Sequence, residues 1–165
     1  MTVAFEVGVE FLAREDLELD AVDLRFGLER DWLGPRTVMD WATIELSKGS
    51  DDPVVEELAC LLPADAARVP QVLAGAPGED APSCRKWLYL QLKAAYERRD
   101  DLGDPLMVVS EIYAEFDYPP EVTGFVYYMP PRPGEPTGTA ALMERWRTYL
   151  DEEHAALRRK SSPGS

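Results

Sequence analysis

Apolar positions along this chain recur at three- and four-residue intervals far more often than at every second residue, a pattern that predicts helices and few strands. In EDLELDAVDLRFGLERDWLG the residues Ala21, Leu24, Leu28 and Trp32 share a helical face, Asp16 or Asp20 can act as N-cap, and Gly34-Pro35 stops the run. PRTVMDWATIELSKG predicts a second helix: Pro35 suits a first turn, Val38, Ala42 and Leu46 align, and Gly49 ends it. A third helix is expected from about Asp52 to Leu62, closed by Pro63. ADAARVPQVLAG reads as a short helix interrupted by Pro70, and GAPGEDAP as a loop.

The second half continues the pattern. From Ser83, Cys84, Leu88, Leu92, Ala95 and Arg99 form one row that Trp87 and Leu90 widen, which predicts a helix at the centre of the core. GDPLMVVSEIYAEFDYP supplies another, capped by Asp104 and ended by Pro119. A last long helix places Leu142, Trp146, Tyr149, Leu150 and Leu157 on one face. Short connections between such helices imply antiparallel neighbours. The expected fold is therefore all-α: a single compact helical bundle, or a stack of antiparallel helical hairpins, of about six to seven helices. One domain over residues 1–160 and a disordered tail over 161–165 are expected, and the role of residues 1–15 is left open.

Charge changes this picture of an ordinary helical domain. The 31 acidic residues outnumber the 17 basic ones, for a net −14. Residues 1–60 carry 15 acids and 5 bases, whereas residues 61–100 carry 5 and 6. A field of that sign repels phosphate backbones and anionic lipid and speeds association with a basic partner, so no nucleic acid and no membrane are expected as partners. A helix-turn-helix drawn over residues 20–48 would offer DNA only Arg36 and Lys48 among several acids. The chain has no apolar run of the length a membrane span needs, and its start lacks the basic region and cleavage site of a secretory signal, so a cytoplasmic location is expected. Cys60 and Cys84 have no CxxC partner and lie in apolar helical settings, which predicts free, buried thiols.

Little catalytic equipment is present. The sole histidine, His154, lies near the end of the last helix, where a solvated position favoured by the helix dipole is the simpler expectation. Phosphate-cradling glycine motifs are missing, and no cofactor is expected. Carboxylates are the remaining resource: Glu111 and Glu115 are one helical turn apart with Asp117 close behind, a weak candidate for a hard metal ion. The acids Asp16, Glu18, Asp20 and Asp23, and the group Asp51, Asp52, Glu56 and Glu57, are the candidate contacts for a basic protein.

One segment stands apart. EIYAEFDYPPEVTGFVYYMPP, residues 111–131, packs six aromatic residues, four prolines and four carboxylates into 21 positions. Its spacing predicts a helix with a fixed exit: Pro119-Pro120 should hold Tyr118 extended, Asp117 should cap the next turn, and Phe125, Val126 and Met129 should tuck under the bundle. Here the chain resembles a bacterial family known as domain of unknown function 2247, with its IYADFDYP-like core; Glu115 departs from that core by one methylene. The resemblance spans most of the chain, including LRFGLERDWLGPRTVMDWA and RKWLYLQLKAAYERRD, and it implies one helical domain in which Ile112, Tyr113, Phe116, Asp117, Tyr118, Pro119 and Trp87 are structural. It carries no catalytic residues over, and implies a binding role of the kind immunity proteins play against bacterial toxins. Together with the charge, it leads to the expectation of a non-catalytic, immunity-type protein that neutralises a basic, nuclease-like toxin. A self-associating adaptor and a carboxylate-dependent metal hydrolase are the alternatives.

Overall fold

The computed structural model describes residues 5–76 and 84–161. Among them every regular element is helical. Eight α-helices and two 3-10 turns are present, more than the six or seven expected, because the opening segment forms a helix of its own and Pro70 starts a helix where an interruption was expected. The elements are α1 (Val9–Glu15), α2 (Ala21–Glu29), α3 (Pro35–Ser47), α4 (Pro53–Cys60), a first 3-10 turn (Pro63–Arg68), α5 (Val69–Ala74), α6 (Cys84–Glu97), α7 (Pro105–Glu115), a second 3-10 turn (Pro120–Phe125) and α8 (Thr139–Ser161). The last helix takes in Ser161, and the rest of the expected tail lies outside the described residues, as does most of the GAPGEDAP loop.

The helices gather into two compact units, one within Glu6–Ser83 and one made of Cys84–Ser165 with Phe5. In the first unit α3 is the hub, packing on α1, α4 and α5, while α2 packs on α5. Its core is built from Leu24, Trp32, Val38, Ala42, Leu58, Val69 and Leu73, each at most 2% exposed. Trp32 lies beyond the end of α2 and is still buried, since its main-chain N–H returns to the carbonyl of Gly27.

In the second unit α6 packs on α7 and α8, and the second 3-10 turn packs on α7 and α8. Trp87, Leu88, Leu90, Leu92 and Ala95 of α6 are buried, as the row of apolar residues predicts, and Trp146, Leu150 and Leu157 of α8 are buried in the same unit. Gln91 is buried and usefully so: its Oε1 accepts from the N–H of Phe5 at 3.3 Å and its Nε2 donates to the Phe5 carbonyl at 3.1 Å. One side-chain amide thus satisfies both backbone groups of the residue it pins, which an apolar side chain could not do.

Aspartate punctuates these helices at both ends. Asp20, Asp52 and Asp104 are N-caps whose carboxylates accept from the N–H of Asp23, Val54 and Met107. At the opposite ends, Asp16, Asp31 and Asp117 sit just past α1, α2 and α7 in the left-handed region, at φ 53°, 61° and 61°. Aspartate tolerates that region better than most residues, though less readily than glycine. Gly49 holds the same place after α3 at φ 97°. After α2, α3 and α7 the following N–H reaches back five residues, from Trp32 to Gly27, Ser50 to Glu45 and Tyr118 to Tyr113, closing the helix in the Schellman manner.

That closure corrects two expectations. Tyr118 is not extended but left-handed, at φ 58°, because the helix-ending bond to Tyr113 outweighs the preference that Pro119 imposes. Asp117 does not cap the following turn, since it is spent ending α7, and Pro119 occupies the N-cap position without a side-chain bond. The thiols differ too: Cys60 and Cys84 are free, but both are exposed. Each lies at a helix terminus, Cys60 as the last residue of α4 and Cys84 as the first of α6, on the part of the helix that the core does not cover.

Candidate functional site

The two acidic stretches of the first unit converge on one place. The loop before α2 and the link between α3 and α4 border a hollow of about 190 Å³, with buried Leu24, Trp41 and Val55 beneath it and Glu18, Asp20, Glu45 and Asp52 around it. Glu18, Asp20 and Asp52 were legible as candidates; Glu45 was not, because it lies in the middle of a sequence that reads as plain helix. Its signal was available, since a carboxylate in the last turn of a helix opposes the dipole and needs a cation. Lys48 supplies it, with Nζ 3.2 Å from Glu45 and 3.0 Å from Asp16. These partners, the Asp16 hydrogen bond foremost, raise the pKa of Lys48 above its ordinary value.

The candidates divide by what already occupies them. Asp23 is 1% exposed, the third residue of α2, and its carboxylate accepts from the N–H of Asp20 while Asp20 accepts from the N–H of Asp23. This reciprocal capping box turns it inward, so the expectation that it meets a partner is corrected. Asp16, Asp20 and Asp52 are exposed but also hold helix ends. Asp51, Glu56 and Glu57 are exposed at the start and on the outer side of α4 and lie outside the hollow. Glu18 is exposed beside it.

In the second unit a larger cleft of about 500 Å³ runs between the second 3-10 turn, Pro130-Pro131 and α8. Arg145 organises it, with Nε donating to the Gly124 carbonyl at 2.6 Å and Nη1 to that of Pro136 at 2.8 Å. Glu121, Glu144 and Glu152 lie around it. Tyr149 borders the cleft, and its hydroxyl is buried with no hydrogen-bond partner among the described residues. Burial first, then the carboxylates of Glu153 and Glu121, raises its pKa well above the ordinary phenol range. Arg85 pairs with Glu153 nearby.

The carboxylates proposed for a metal do not assemble one. Glu111 is half-buried, Glu115 is exposed, and Asp117 closes α7. Among the described residues no group of three or more His, Cys, Asp and Glu side chains could hold a metal ion. His154 is half-buried and stacks on Tyr89 with ring centroids 5.7 Å apart.

The motif segment splits into an inner and an outer part. Ile112 and Tyr113 are buried and Trp87 fully so, while Phe116 and Pro119 are half-buried. Tyr118, Tyr127 and Tyr128 are 57%, 48% and 51% exposed, and they form a chain of rings with Tyr113: Tyr113 to Tyr118 at 5.2 Å, Tyr113 to Tyr128 at 6.4 Å and Tyr127 to Tyr128 at 5.3 Å. Among the described residues no helix is long and apolar enough to cross a membrane.

A family model described as "Uncharacterized protein conserved in bacteria (DUF2247)" matches residues 9–154. No curated protein and no solved structure matches the chain.

Proposed function

The chain belongs to this bacterial family, and from that premise we propose that it acts by binding a basic protein, as a non-catalytic, immunity-type protein that neutralises a nuclease-like toxin in the cytoplasm. The observation that carries the reading is where the charge lies. Residues 6–83 hold 18 acids and 6 bases, a net −12, whereas residues 84–165 hold 13 and 11, a net −2. Nearly all the excess therefore falls within one compact unit. Such a concentration attracts a surface built for phosphate, raises the rate of encounter and rejects nucleic acid itself.

Within that unit, side chains not spent on capping are the better contacts. Asp51, Glu56 and Glu57 are exposed and none of them is an N-cap, though Glu56 also favours the first turn of α4, and Glu18 adds to them beside the hollow. The apolar residues under the hollow give a partner's side chain a place to lose water.

The test is capture from the native bacterium with two baits, the wild-type chain and the D51K/E56K/E57K variant, followed by mass spectrometry. One basic protein held by the wild type, released as salt rises and not held by the variant is the expected result. Protection of cells that express the captured protein should follow the same order. Equal capture by both baits, or capture indifferent to salt, overturns the electrostatic reading.

A further inference from the structure

The exposed tyrosines of the second unit are unaccounted for by any reading that rests on the first. Tyr118, Tyr127 and Tyr128 are three of the most exposed large hydrophobic side chains of the described residues, and they are contiguous through Tyr113. A single exposed tyrosine needs no explanation, but a joined set of three is an exposed aromatic patch that does. Tyrosine clusters of this kind supply large, rigid contact area with little entropy to lose.

Charge says what fits there. Between Asp100 and Pro131 the chain has seven acidic residues and no basic one. Asp117 directly precedes Tyr118 and Glu115 lies three residues before it, both exposed, whereas Glu121 belongs to the Arg145 cleft. Elsewhere the chain places its own guanidinium groups on its own rings: Arg30 is 4.1 Å from the Phe26 centroid and Arg99 4.1 Å from that of Tyr96. Among the described residues no such cation covers Tyr118, Tyr127 or Tyr128. Arginine is the side chain that matches a ring face beside a carboxylate, since its flat guanidinium stacks on the one and forks onto the other.

We propose that the Tyr118, Tyr127 and Tyr128 face is a docking surface for an arginine-bearing segment of a partner protein, with the rings taking the guanidinium groups and the exposed Glu115 and Asp117 beside Tyr118 in the chain setting the charge. This surface stands whether or not the acidic first unit meets a toxin.

The test titrates the isotopically labelled full chain with a Gly-Arg-Gly-Arg-Gly-Arg peptide and with its neutral citrulline counterpart, followed by amide chemical shifts. The arginine peptide should move resonances of residues 113–128, and the citrulline peptide should not. Replacing Tyr127 and Tyr128 by serine should weaken binding roughly tenfold, whereas replacing both by phenylalanine, which keeps the ring faces, should leave it within about twofold. Shifts confined to residues 16–57 with no effect of the serine variant would show general attraction to the acidic unit and overturn the proposal. Equal binding of the citrulline peptide, or loss of binding in the phenylalanine variant, would overturn it as well.

Discussion

At the scale of single residues, the same side-chain type does two different jobs, and substitution separates them. Asp20 and Glu57 are both exposed acids of the first unit, yet only Asp20 closes a capping box. Asp20→Ala should cost about 1 kcal/mol of unfolding free energy in urea titration, while Glu57→Ala should fall within about 0.5 kcal/mol of wild type. Tyr149 makes a prediction of another kind. Its pKa is raised in the folded chain, so the folded state holds the phenolic proton above the pH at which the unfolded chain releases it. The stabilisation is fully present below the ordinary tyrosine value of about 10 and is lost as pH rises beyond it. Tyr149→Phe should therefore flatten the alkaline decline in stability above about pH 10. Near neutrality it should not destabilise, because it removes a buried hydroxyl that has no partner among the described residues. Denaturation of both proteins from neutrality to above about pH 10 checks both statements.

At the scale of elements, what could be read beforehand is what local chemistry decides. The N-cap Asp104, Asp20 as one of two candidate caps, the start of α4 near Asp52, proline at the start of α3 and glycine at its end, and most of the buried row of α6 all follow from nearest neighbours in sequence, and all were legible. Endings that aspartate performs in place of glycine were not legible, because nothing in DWL or DYP marks a left-handed residue until the following N–H is seen to reach back five positions. The site suffered the same limit. Asp23 looked like one acid among four until the capping box turned it inward, and Glu45 looked like helix until the hollow formed beside it. The closure of α7 gives a direct check. Asp117→Val forces a β-branched side chain into the left-handed region and should cost about 1 to 2 kcal/mol, whereas Asp117→Gly should cost none of that strain. Thermal unfolding of the two variants, compared with wild type, measures the difference.

At the scale of the whole molecule, charge is the property that matters, and most of it is carried by one unit. The D51K/E56K/E57K variant reduces the net charge from −14 to −8 and leaves the chain acidic. Its association with the captured basic partner should slow by tenfold or more at low salt and by little at high salt, with a smaller change in dissociation, as stopped-flow or surface-based kinetics would show. The aspartates that end helices bear on how such a surface can change over generations. Asp16, Asp20, Asp31, Asp52 and Asp117 contribute negative charge as a by-product of specifying where helices stop and start, so only a few neutral residues, asparagine foremost, could remove the charge there and keep the punctuation. Asp51, Glu56 and Glu57 neither cap nor end a helix, and only Glu56, in the first turn of α4, favours one. Most changes at the five aspartates therefore disturb helix ends, whereas those three positions can change with less effect on the fold, so the sign of the surface is tied to the architecture more firmly than its detail.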